Sequence, residues 1–156
     1  MEQIELSQGK FALVDDDAFD EINQYNWCFA QGYAVRNVKV LGKYKMQYMH
    51  RLVTSCPADM NVDHKNHDKL DNQKNNLRIC STSENLRNQQ IRTVSKTSVY
   101  KGVTFHKQAG KWQARIQLEN KNNYLGLFAN EIDAAIAYNV AAIEMFGEFA
   151  LLNDIK

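Results

Sequence analysis

Asp63 and His64 stand side by side in Asn61-Val62-Asp63-His64, and Asn72, Asn75, Asn76 and Asn85 follow within a short span. A carboxylate, an imidazole and several amides this close together can bind a hard divalent cation and activate a water beside it. An imidazole titrates near neutrality, so a free one accepts a proton from water attacking a phosphodiester. His64 is therefore the candidate general base. Asp63 offers an anionic oxygen and Asn85 a neutral amide oxygen, a pair suited to Mg²⁺, with Mn²⁺ as the alternative, because such ions keep waters and take substrate phosphate oxygens as further ligands.

These residues need elements to position them. Met60-Asn61-Val62 reads as the end of a short strand, 65–76 as a polar loop, and Ser81-Thr82-Ser83-Glu84 as a capping box opening a helix. Asn85 then falls in the first helical turn. If the loop folds back, Asp63 and Asn85 face each other across one ion while His64 stays unligated. Singly, each residue has a plainer explanation: an Asp-His pair often sits in a surface turn, and asparagines crowded between Asn61 and Asn88 serve as turn formers. Two other metal readings fit poorly. Cys56, His64, His67 and Cys80 match no zinc-finger spacing, and Asp63, Asp68 and Asp71 lack the alternating positions, central glycine and terminal glutamate of a calcium loop.

His64, eleven residues, Asn76, eight residues, Asn85, with Asp63 before the histidine and LDNQKNNLR between, resembles the ββα-metal core of HNH homing-type endonucleases. The last third resembles a second family, the AP2 DNA-binding domain, in YKGV (Tyr100 to Val103), GKWQARI (Gly110 to Ile116), YLGLF (Tyr124 to Phe128), an alanine-rich helix and the ending FGEFALLN. Together the resemblances cover roughly Tyr48 to Asn153, and phage and mobile-element endonucleases combine the two modules in this order. The resemblance implies catalytic roles for His64 and Asn76 and metal ligation by Asp63 and Asn85. In the family the central asparagine, matched by Asn76, holds the loop or the base histidine, and its amide can fix the imidazole tautomer. The family also often has a histidine and arginine ahead of the motif, here His50 and Arg51; His50 is a rival base, read as structural or phosphate-facing.

A net charge of +1 hides a segregation. Residues 1–63 carry 6 Lys/Arg against 9 Asp/Glu, residues 64–129 carry 12 against 4, and residues 130–156 carry 1 against 5. The cationic excess lies where phosphates would need neutralising. Three cysteines, Cys28, Cys56 and Cys80, form no CxxC pair and argue against a disulfide framework. No stretch reads as a signal peptide or membrane span, so the expectation is a cytoplasmic protein of a bacterial or phage-infected cell with no membrane partner.

Before the motif, Ile4 to Leu6, Phe11 to Val14, Tyr33 to Val40 and Lys45 to Met49 read as strands, and Asp15 to Asn26 as a short helix with no evident chemistry. Arg36, Lys39, Lys43 and Lys45 are candidate phosphate contacts or ordinary surface charge. After it, Tyr100 to His106, Lys111 to Leu118 and Asn122 to Phe128 read as three strands. Alternation puts Trp112, Ala114 and Ile116 on one face and Gln113, Arg115 and Gln117 on the other. A helix capped by Asn130 and stopped at Gly147 covers the first face, its alanines allowing close approach.

The open face presents candidate DNA contacts Lys101, Thr104, His106, Lys111, Gln113, Arg115, Gln117, Asn122 and Tyr124, since Arg, Gln and Asn read purine edges. These positions match those the AP2 family turns to DNA, but Thr104, His106, Gln117, Asn122 and Tyr124 depart from its usual residue types, so no target sequence carries over.

The expectation is an α+β protein: residues 1–92 a nuclease domain with a β-rich N-terminal extension and a ββα-metal HNH core at about 48–90, 93–99 a basic linker with Arg92 and Lys96 near phosphates, and 100–154 an AP2-like three-stranded antiparallel sheet on one helix. Its function would be metal-dependent endonucleolytic cleavage of double-stranded DNA by a protein favoured as a monomer. The alternatives are a non-catalytic DNA-binding regulator and, more remotely, an RNA-binding or structural β-protein.

Overall fold

A computed structural model of the chain describes residues 1–88, 97–119 and 121–155. It is an α+β structure with small antiparallel sheets, and it divides into two compact units, Met1–Asn85 and Leu86–Lys156. Gln89, Arg92 and Lys96, with most of the segment expected to be a linker, lie outside the described residues.

In the first unit β1 (Glu2–Glu5) and β2 (Phe11–Val14) form a hairpin in which Ile4 pairs with Ala12. Period-two alternation turns Ile4, Ala12 and Val14 inward, where Ala18 and Ile22 of α1 (Asp16–Asn23), Trp27, Ala34 and Met49 complete a core. The Trp27 indole N–H, buried with its ring, donates to the Ile22 carbonyl at 2.9 Å. β3 (Cys28–Ala30), β4 (Tyr33–Val40) and β5 (Lys43–Tyr48) run as an antiparallel meander, and the short helix α2 (Met49–Val53) follows β5 directly. A further pair, β6 (Asn61–His64) with β7 (Leu77–Cys80), flanks the polar loop and leads into α3 (Thr82–Arg87).

That loop is anchored at both ends. Lys65 N–H donates to the Asn76 carbonyl at 2.9 Å across the mouth of the hairpin. Further along, Leu13 N–H donates to the Leu70 carbonyl and Asn72 N–H to the Leu13 carbonyl, each at 2.8 Å, so the loop backbone docks on β2 like a partial extra strand. Asp15 accepts from Lys74 N–H at 2.6 Å, and Asp17 pairs with the Lys74 ammonium at 2.7 Å. The acidic start of α1, in which the sequence showed no chemistry, is a mooring for the loop.

In the second unit β8 (Val103–His106), β9 (Lys111–Leu118) and β10 (Lys121–Phe128) form an antiparallel sheet with β9 central. Across it lies α4 (Glu131–Phe146), whose Asn130 cap accepts from Asp133 N–H at 2.8 Å. Ala134, Ala135, Ala141 and Ala142 are buried against Val103, Ala114 and Ile116, small side chains that let helix and sheet approach closely. Asn153 secures the C-terminal segment by exchanging hydrogen bonds with the Asn139 amide and with the Lys101 backbone.

Candidate nuclease site and nucleic-acid interface

Adjacent residues of a strand point to opposite faces, and this separates the two halves of the candidate site. Asp63 shares its face of β6 with Asn61, whose amide donates to Thr82 Oγ1 at 2.9 Å. That bond ties this face to the first turn of α3. Asn85 lies three residues beyond Thr82, on the same side of the helix. The helical turn that leads into Asn85 is fixed by the capping box: Ser81 N–H donates to Glu84 Oε2 at 2.8 Å and Glu84 N–H to Ser81 Oγ at 3.2 Å.

Asp63 already holds a cation. Its register partner on β7 is Arg78, whose Nε and Nη2 both reach Asp63 Oδ2, at 2.8 and 2.7 Å. Both side chains are about nine-tenths buried. Removing one partner of such a pair strands a buried charge, at a cost of about 3–5 kcal/mol. A single carboxylate with a neutral amide as a second ligand would suit a cation that keeps several waters, which fits Mg²⁺ better than a soft metal demanding a full protein cage. Among the described residues no group of three or more His, Cys, Asp or Glu side chains is placed to hold a metal.

His64 leaves the other face of β6 and enters a cluster of rings. Its ring centre lies 5.1 Å from His50, nearly perpendicular, and 6.2 Å from Tyr33, while Tyr48 and Tyr33 each stand 5.3 Å from His50. His64 Nε2 and Asn72 Oδ1 are 3.4 Å apart. The Asn72 amide nitrogen donates to the Leu70 carbonyl at 3.1 Å, which assigns the oxygen to the imidazole side and so selects the tautomer with its proton on Nε2 and its lone pair on Nδ1. Asn72 is fully buried, and its backbone is one of the groups docked on β2.

Asn76 does a different job from Asn72. Its amide donates to the Asp71 carbonyl at 2.8 Å and its Oδ1 accepts from Asn66 N–H at 3.0 Å. Of the two roles the resemblance left open, the geometry gives Asn76 the loop, and Asn72 faces the imidazole. Asn88 is buried, and Gln89 lies outside the described residues.

Burial holds the His64 imidazole below its ordinary range, opposed by the Asn72 contact and by the carboxylates of Asp63, Asp71 and Asp68. His50 is pushed further, to about 3, by burial first and then by His64 and Arg51. Both rings are neutral at neutral pH, the form in which an imidazole can take a proton. A stability prediction follows for His50. Below pH 6.5 the unfolded chain binds a proton that the folded chain refuses until about pH 3, so stability falls as pH drops through that window. His50→Phe, which keeps a ring in the cluster, should remove roughly 3–5 kcal/mol of this loss, measured by denaturant unfolding at pH 7 and pH 3.5.

In the second unit, strand register gathers the sequence candidates. Thr104 pairs with Gln113, His106 with Lys111, Tyr124 with Arg115 and Asn122 with Gln117, so all eight share the face turned away from α4. Arg115, Gln117, Asn122, Tyr124, Thr104 and Lys111 are exposed, whereas Gln113 at the centre is buried. Trp112 lies on the α4 side, half-buried and edge-on to Phe105 at 5.1 Å. Lys101 lies outside the strands, and its ammonium donates to the Arg87 carbonyl at 2.6 Å.

Known proteins resemble this chain in two ways. A family model described as HNH endonuclease matches residues 48–87. Over 152 residues, 95% of this chain and 77% of the relative, the sequence is 32% identical to an uncharacterized HNH endonuclease of Acanthamoeba polyphaga mimivirus. A 58-residue stretch, 36% of the chain, is 53% identical to each of two AP2-like ethylene-responsive transcription factors of Arabidopsis thaliana. The chain spans only 12% and 10% of those two proteins, so the likeness is to one module within them.

Proposed function

The chain belongs to the HNH endonuclease family, and from that premise we propose that it is a metal-dependent endonuclease that cuts double-stranded DNA, held on its substrate by the AP2-like sheet of its second unit. The observation that carries this reading is the divergence of Asp63 and His64 from neighbouring positions of β6. One shares the face of β6 that Asn61 ties to α3; the other is buried among rings, and its burial favours the neutral imidazole. The β6–β7 hairpin with α3 would form the ββα-metal core.

In this mechanism Asp63 and Asn85 hold a Mg²⁺ or Mn²⁺ ion, which when bound supplies positive charge to the phosphate and the leaving 3′ oxygen. His64 takes the proton of the attacking water on Nδ1, while Asn72 keeps the other nitrogen protonated. Asn76 keeps the loop in the shape that presents Asn72. The products carry 5′-phosphate and 3′-hydroxyl ends. Thr104, His106, Lys111, Gln113, Arg115, Gln117, Asn122 and Tyr124 line the face offered to the duplex, with the exposed Arg115 and Lys111 supplying charge and the amides reading base edges.

A second reading, a DNA-binding regulator that does not cut, draws on Arg78 occupying Asp63. Supercoiled plasmid decides between them. The wild-type protein should relax or linearise plasmid in Mg²⁺ and not in EDTA, and Asp63→Asn should lower the rate at least a hundredfold in Mg²⁺. Tight plasmid binding with no cleavage in Mg²⁺ or Mn²⁺ would favour the regulator, and undiminished cleavage in EDTA would remove the metal from the mechanism.

A further inference from the structure

The Asp63–Arg78 pair stands where the proposed function needs a divalent cation. Nε and Nη2 converge on the same carboxylate oxygen, and the strand register, not a loop, sets the two side chains opposite each other. A carboxylate this poorly solvated is costly without a counter-charge, so the guanidinium explains how the hairpin folds before any metal arrives. Two cations on one such carboxylate repel strongly, because little water intervenes to screen them. A guanidinium, moreover, fits phosphate as well as carboxylate.

We propose that Asp63 is an exchange site, occupied in alternation by the Arg78 guanidinium and by a divalent cation, with the displaced guanidinium passing to a phosphate of bound DNA. Arg78 is thereby a positioning residue that holds the ligand carboxylate in place and sets how much cation is needed to arm the site. The inference rests on the metal-site reading above, extending it from the ligands to what competes for them.

The test reads metal binding, not cleavage. Mn²⁺ is titrated into the full chain without DNA and followed by electron paramagnetic resonance, for wild type, Asp63→Asn, Arg78→Gln and Arg78→Lys, each checked for a cooperative thermal transition. Asp63→Asn should weaken Mn²⁺ binding at least tenfold, Arg78→Gln should tighten it at least tenfold, and Arg78→Lys should tighten it less. If Asp63→Asn binds as wild type does, the metal site is elsewhere and the exchange falls with it. If Asp63→Asn weakens binding but neither arginine variant tightens it, the exchange is overturned and the metal site stands. Should Arg78→Gln fail to fold, Arg78→Lys and the wild-type protein decide. The ¹⁵N–¹H resonance of Arg78 Nε, identified by its loss in Arg78→Lys, should shift with Mg²⁺, and an unmoved resonance while Asp63-dependent binding saturates would overturn the exchange.

Discussion

His64→Ala should lower the rate of plasmid cleavage by about 10²- to 10⁴-fold, the range a positioned general base supplies, and should change duplex affinity by less than about threefold. The affinity is spared because, in the proposed reading, the sheet of the second unit holds the duplex and the imidazole only takes a proton from water. Because the residue is buried, His64→Asn serves as a second variant that fills more of the space without a base of useful pKa. The pH profile supplies an independent check. Protonation removes the base, and burial lowers the pKa below the ordinary 6.5, so the acid limb of kcat/KM should have its midpoint below pH 6.5. A midpoint at or above 6.5, or wild-type rates in both variants, would exclude His64. Loss of cleavage in His50→Phe with His64→Asn active would transfer the role to His50, whose ring lies 5.1 Å away.

What the sequence disclosed about this site was local. The capping box of Ser81 and Glu84 is a contact between residues three apart, and the Asn130 cap of α4 is another, so composition at fixed spacing was enough to read both. Alternation along β9 foretold its two faces for the same reason, since a strand's period needs no partner to be visible. The register then placed Thr104, His106, Asn122 and Tyr124 beside Gln113, Lys111, Gln117 and Arg115 on that face.

What stayed hidden depends on pairing across the chain. β7 is four residues beside an asparagine-rich loop, and α2 is five residues, too short to show a helical period. Expected strand Lys45 to Met49 therefore ran one residue into what is helix. The Arg78–Asp63 pair follows from a register that a one-residue slip would destroy by turning Arg78 to the other face. Likewise, the choice of Asn72 over Asn76 as the imidazole's neighbour is made by the docking of 70–72 on Leu13, a contact nearly sixty residues distant in sequence. A string of asparagines signals turns without saying which amide faces which group.

Gly102→Ala should unfold or nearly unfold the second unit. Gly102 sits at φ +76°, a left-handed conformation costing a residue with a Cβ about 1–2 kcal/mol. An added Cβ would also fall within the ring of Tyr138 and 2.6 Å from the Arg115 carbonyl oxygen. Tyr138 is 3% exposed and packed in the same cluster as Ile116 and Phe146, so it cannot yield without opening the contact between α4 and the sheet. The Gly102 carbonyl also accepts from Arg115 N–H at 2.8 Å, which couples any backbone shift there to the central strand. Together strain and clash should cost about 3–5 kcal/mol, comparable with the whole stability of a small unit. Gly110→Ala isolates the strain term. Gly110 shares the left-handed conformation, at φ +61°, but nothing lies within 4 Å of the added carbon, so the loss should stay near 1–2 kcal/mol. Denaturant melts of the two variants, followed through α4 and Trp112, should separate them by at least about 2 kcal/mol. If the sheet is the DNA-holding element, duplex affinity should collapse in Gly102→Ala and survive in Gly110→Ala. Equal melts would show that Tyr138 has room to move, and undiminished affinity in an unfolded Gly102→Ala sheet would place DNA binding elsewhere.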